Sequence, residues 1–152
     1  MGVGAAWRRA ALVAGLVVAL DQVVKAVVVA ALQRGESVAL FPGLAITHVR
    51  NTGVAFGVLA GAGALVAILA GLSLVALVAF FARHAERPWL WLPVGMLIGG
   101  ALGNLADRAR EGSVIDYIDP VAWPSFNVAD SAIVLGVGAL FLLVDREPAP
   151  AP

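Results

Sequence analysis

Four stretches of the chain are apolar over lengths that match a bilayer core, and most polar positions lie between them or near their ends. These windows are residues 10–32, 54–82, 89–106 and 126–144. A helix needs about 20 mostly apolar residues to cross the hydrocarbon, so the pattern predicts four transmembrane helices. The first window is interrupted by Asp21, Gln22 and Lys25, the third carries Pro93, and the fourth holds Asn127 and Asp130. Between the first two windows, VALF, a Pro42-Gly43 turn and LAITHV predict a small β-hairpin within 33–53. Residues 107–125, broken by Gly112, Pro120 and Pro124, read as a short connection. Residues 1–147 are expected to form one domain, with 148–152 a disordered Pro/Ala tail.

Composition agrees with the pattern. The 152 residues are 61% hydrophobic and 13% charged, against about 45–50% apolar and ~25% charged in soluble domains. Ten Lys+Arg balance ten Asp+Glu, so bulk charge gives no basis for nucleic-acid binding. The chain has no cysteine, which excludes disulfides, thiolate nucleophiles and iron–sulfur clusters, and two histidines, which exclude a three-histidine metal site. Arg8 and Arg9 before an apolar run resemble the start of a signal peptide. No small-x-small cleavage site follows, and the DQVVK cluster breaks the apolar stretch, so an uncleaved helix is expected. Loop arginines number five on the side of the termini (Arg8, Arg9, Arg83, Arg87, Arg146) and four opposite (Arg34, Arg50, Arg108, Arg110). The excess places the termini in the cytoplasm and the hairpin at the outer face.

Ionisable residues within spans cost about 2.5–3.5 kcal/mol on insertion scales, so each needs a reason. Asp21 and Lys25 stand four apart and can pair on one helix face, with Gln22 bonding to a neighbouring helix. Asn51 or Thr52 would cap the second helix, or Asn51 would enter a polar site. Gly99, Gly100 and Gly103 allow a close helix approach. Asn104, Asp107 and Arg108 follow on one face, with Asp107 and Arg108 read as a structural ion pair. Asp116 and Asp130 reach the outer interface at similar depth from neighbouring segments, and Asn127 occupies the cap position before the fourth helix. Two adjacent carboxylates share one proton, and such a dyad can activate water against a peptide carbonyl. By spacing alone, Asp107 and Asp119 remain candidates beside them. A Ser–Lys peptidase using Lys25 and a proton-relaying transporter using Asp21, Asp107 and Asp130 are the competing readings.

Five motifs carry a resemblance. Asp21-Gln22-x-x-Lys25, Asn51-x-Gly53-x-Ala55-Phe56 and Gly99-Gly100-x-x-Gly103-Asn104-x-x-Asp107-Arg108 come first in order. Gly112-x-Val114-x-Asp116 and Phe126-Asn127-x-Ala129-Asp130 follow. Together they resemble the bacterial lipoprotein signal peptidases (signal peptidase II), intramembrane aspartic endopeptidases. The resemblance implies an all-α membrane protein of four spans with an outer β-cradle. It implies that Asp116 and Asp130 are catalytic, and that Asn51, Gly53, Asn104, Arg108, Asn127 and Ala129 surround them, with Asp21 and Lys25 in support. The implied substrate is a prolipoprotein cut just before its diacylglyceryl-modified cysteine. Globomycin as inhibitor, contact with membrane lipid, no metal or organic cofactor, a monomer, and residence in the bacterial cytoplasmic (inner) membrane with an outward-facing site follow in the same way.

Overall fold

The computed structural model describes residues 2–52 and 63–144. In chain order its elements are α1 (Val3–Ala31), β1 (Ser37–Phe41), β2 (Leu44–Asn51), α2 (Gly63–His84), α3 (Trp91–Glu111), β3 (Val114–Pro120) and α4 (Val128–Val144). Gly53, the first part of the expected second window and the tail lie outside the described residues.

The helices are built inside out relative to those of a water-soluble protein. Leu12, Leu16 and Leu20 of α1, Ile68, Leu72 and Val75 of α2, and Leu135 and Phe141 of α4 all project outward. The buried side includes Asp21, Lys25, Asn104 and Asp107. α1 and the Ala64–His84 part of α2 are long and apolar enough to cross a membrane; the apolar stretch of α4, Val128–Leu143, is shorter. α3 lacks such a stretch because its second half carries Asn104, Asp107, Arg108 and Arg110.

α3 is the central helix, and α1, α2 and α4 all pack on it. Glycines set the spacing. A Cβ on Gly95 would stand 2.7 Å from the Ala10 carbonyl, one on Gly99 2.8 Å from that of Ala14, and one on Gly100 2.5 Å from that of Ala129. Lipid tails are as apolar as leucine, so close backbone contact must replace the hydrophobic drive between helices. At the other end of the bundle Trp7 packs edge-on against Phe81, and the Arg9 guanidinium lies 5.5 Å from the Trp91 ring.

α1 and α3 both extend well beyond their apolar windows. α1 begins at Val3, because Arg8 and Arg9 are good helix formers outside the apolar run. α3 continues to Glu111, so Asp107, Arg108 and Arg110 belong to a helix rather than a loop. It stops at Gly112, whose φ of 67° is the left-handed conformation that ends helices, with its N–H donating to the Arg108 carbonyl. The expected hairpin is present, turning through Gly43 at φ 96°. The connection beyond Gly112 is also ordered: β3 pairs antiparallel with β2, completing a sheet of order β1-β2-β3. That pairing sets Asp116 opposite Val49 and Val114 opposite Asn51.

Candidate active site

Asn127 organises the site. It precedes α4, and its Oδ1 accepts the Asp130 N–H at 2.9 Å while an Asp130 carboxylate oxygen accepts the Asn127 N–H at 3.2 Å. This is the reciprocal arrangement of a capping box, with aspartate in the returning role. The Asn127 side-chain amide then donates to Asp116 Oδ1 at 2.7 Å, and also lies within 3.2 Å of the Asn104 Oδ1 and the Ile115 carbonyl. One asparagine therefore touches both carboxylates.

Each carboxylate has a second amide donor. Asn51, the last residue of β2, donates to Asp116 Oδ2 at 2.8 Å, and Asn104 donates to Asp130 Oδ1 at 2.8 Å. Asn51 thus reaches the polar cluster from a strand end. Burial pushes the Asp116 carboxyl above the usual aspartate range, and the neighbouring Asp130 charge adds to this, against the Asn51 and Asn127 hydrogen bonds that favour ionisation. Burial also raises the adjacent Tyr117 phenol to about 12. Its hydroxyl accepts the Val128 N–H at 3.3 Å, a second cap on α4. Sequence reasoning missed this contact: an aromatic after Asp116 is legible, but which helix its hydroxyl meets is not.

Behind the pair lies a charged layer. Lys25 Nζ is 2.8 Å from Asp21 and 2.7 Å from Asp107, and donates to Asn104 Oδ1 at 3.0 Å. Asp21 spends its other oxygen on the Ala129 N–H at 3.0 Å, so a carboxylate of α1 caps α4. Gln22 bridges from α1 to Asp107 at 3.0 Å. Asp107 pairs with Lys25 and Arg110, not with Arg108 as its sequence neighbour suggested, because successive helix residues do not face each other. Arg108 instead donates to the Asn104 carbonyl, and its buried Nε has no hydrogen-bond partner. It lines a cavity of about 320 Å3 between α2, α3 and α4 that also contains Asn104 and Asp130, with Leu74, Leu97 and Ile133 on its walls.

Asp119 is engaged elsewhere. Its carboxylate accepts from the Thr47 hydroxyl at 2.8 Å and from Ser125 at 2.7 Å, tying β3 to β2 and to the following loop. Lys25 is held by carboxylates and an amide, with no serine among its described partners. That leaves the Ser–Lys arrangement without its nucleophile.

A mostly helical chain, largely apolar outside and with Asp21, Asp107 and Asp116 buried within, is built as a membrane enzyme. Comparison makes the class specific. The family profile described as Signal peptidase (SPase) II matches residues 13–145. A lipoprotein signal peptidase of Syntrophomonas wolfei is 48% identical over 130 residues, covering 85% of this chain and 87% of its own. One from Halothermothrix orenii is 38% identical over 133 residues, covering 87% and 92%. A solved bacterial membrane enzyme, determined in meso at 1.9 Å, superposes with a TM-score of 0.83 at 34% identity, covering 91% of this chain and 94% of that one. The chain belongs to the signal peptidase II family of lipoprotein signal peptidases, which are aspartic-type peptide-bond hydrolases.

Proposed function

We propose that Asp116 and Asp130 are the catalytic dyad of this peptidase. The substrate in this reading is a prolipoprotein whose cysteine already bears a diacylglyceryl group, cut just before that cysteine. The observation that carries the assignment is the Asn127 bridge, whose side-chain amide holds the Asp116 carboxylate of β3 and whose backbone N–H holds that of Asp130 in α4. Such a pair holds one proton between its members. The ionised carboxylate takes a proton from water as the water oxygen attacks the scissile carbonyl carbon. The protonated carboxyl gives its proton to the carbonyl oxygen. Collapse of the tetrahedral intermediate breaks the C–N bond: the amine of the cysteine leaves with the proton taken from water, and the other carboxylate takes back the hydroxyl proton as the carbonyl re-forms, so the pair again holds one proton.

The remaining roles follow from contacts. Asn51, Asn104 and Asn127 hold the carboxylates, Arg108 faces the groove beside Asp130, and Asp21, Lys25 and Ala129 fix the start of α4. Gly53 is assigned to the site by its motif alone. In the same reading, all four helices span the bacterial cytoplasmic membrane within one domain. The termini face the cytoplasm, and the sheet rests at the outer surface as a cradle for the lipidated substrate. The exposed Phe41, Val121 and Trp123 at the far end of the sheet support contact with lipid there. The enzyme acts as a monomer and is inhibited by globomycin.

The test is cleavage of a diacylglyceryl-modified prolipoprotein by purified protein in detergent. Wild type should cut before the lipidated cysteine. Asp116→Asn and Asp130→Asn should each lose at least about a thousand-fold in kcat, the scale seen when members of a catalytic unit are removed. Near-normal turnover by either variant would remove that residue from the dyad.

A further inference from the structure

From Gly63 to the basic pair Arg83 and His84 that ends it, α2 carries one polar side chain, Ser73. Ser73 is exposed, and its hydroxyl makes no hydrogen bond among the described residues. The serine of α4 behaves differently: Ser131 donates to the Asn127 carbonyl one turn earlier, the usual way a helical serine satisfies itself. A hydroxyl without a partner is costly in an apolar medium. Its position on an otherwise apolar helix therefore needs a reason.

Ser73 lines the cavity of about 320 Å3 between α2, α3 and α4. Asn104, Arg108 and Asp130 form the end of that cavity nearest the sheet, and Ser73 is its only other polar lining residue among those described. The short connection from α2 to α3 sets residues equally far from it at similar heights, so Ser73 falls near Ala101. A Cβ on neighbouring Gly100 would meet Ile133, which places the same level on α4. Ala101 and Ile133 each stand three positions from the bonded pair Asn104 and Asp130, close to one helical turn of about 5 Å. The cavity thus offers a free hydroxyl one turn deeper in the bundle than Asp130, between the apolar walls of Leu74 and Leu97.

A peptide bond is open to attack only where the chain around it is unwound, and the segment to be released runs from the dyad into the hydrocarbon. Unwound backbone at that depth has no water to bond, and it persists only where the surrounding protein supplies partners, serine hydroxyls among them. We propose that the Ser73 hydroxyl donates to a backbone carbonyl of the substrate on the released side of the cut. At about 3.3 Å per extended residue, one helical turn corresponds to about two residues before the scissile bond. Ser73 then holds the substrate unwound while the dyad acts on it. This contact rests on the peptidase and membrane reading given above.

The experiment is steady-state cleavage of a diacylglyceryl-modified prolipoprotein by the full chain in detergent. Ser73→Ala should lower kcat/KM about ten-fold, the scale of one unmade hydrogen bond in an apolar site, with the unfolding temperature unchanged. Ser73→Thr keeps the hydroxyl and should keep near-normal turnover. Synthetic substrates in which the backbone amides just before the cut are replaced one at a time by esters, whose carbonyls are weaker acceptors, locate the partner. For one of them the difference between wild type and Ser73→Ala should largely disappear. Equal kcat/KM for wild type and Ser73→Ala overturns the proposal, as does a penalty of the same size on every ester substrate, which would make Ser73 a residue of the helix alone. The failures are distinguishable. Normal wild-type cleavage with no Ser73 effect removes only this contact, whereas Ser73-dependent cleavage that survives Asp116→Asn and Asp130→Asn removes only the dyad.

Discussion

Asn127 does two jobs that can be separated by substitution. Its Oδ1 caps α4, while its amide N–H group reaches Asp116. Asn127→Ala should lose both, lowering kcat about a hundred-fold, as when a preorganised donor is removed, and destabilising by about 1 kcal/mol. Asn127→Ser keeps a capping oxygen, so thermal unfolding should recover while steady-state cleavage does not. Asn51 offers a test in pH. Its hydrogen bond favours ionised Asp116, opposing the burial that raises that carboxyl. If turnover needs one proton on the pair, activity falls as pH rises through the upper apparent pKa. Asn51→Ala removes a lowering influence, so the alkaline limb of the kcat/KM profile should move to higher pH. A shift to lower pH, or none, would detach Asn51 from the titrating group.

At the scale of elements, glycine positions decide how closely helices meet. A Cβ on Gly103 would stand 2.7 Å from Asp21 Oδ2, whose carboxylate caps α4 through Ala129. Gly103→Ala should therefore lower both unfolding temperature and cleavage, whereas Gly138→Ala, with open space around it, should leave both nearly unchanged. The same elements show what the sequence made readable. Asp21 and Lys25 stand one helical turn apart, so their pairing follows from local geometry. The β1–β2 hairpin was readable from its Pro-Gly turn between two apolar runs. β3 was not, because Asp116 and Asp119 interrupt its apolar alternation and its partner strand is β2, before α2 and α3. α3 was cut short for a related reason: charges after residue 106 read as departure from the membrane, while the helix runs on to bring Asp107 against Lys25. The dyad assignment came from the resemblance, since spacing alone left Asp107 and Asp119 beside it. Asp107 pairs with a lysine, and Asp119 joins hydroxyls of the sheet and loop.

Across the whole molecule, a buried polar network lies beneath an outward face rich in apolar side chains, and it links segments far apart in the chain. Asp21 of α1 holds the first turn of α4; Lys25 orients Asn104 of α3; Asn104 and Asn127 hold carboxylates from α4 and β3. The cap between Asp21 and Ala129 spans 108 positions of sequence. That separation has a consequence for biosynthesis. A chain is made from its N-terminus, so α1, the sheet and α3 are all synthesised before the last helix supplies Asn127 and Asp130. Until then Asp116 lacks its bridging amide, and Asp21 lacks the backbone donor it will serve. With Asp116 and Asp130 as the proposed dyad, proteolytic competence is withheld throughout translation and arrives with the final helix, when the newest segment docks against the oldest.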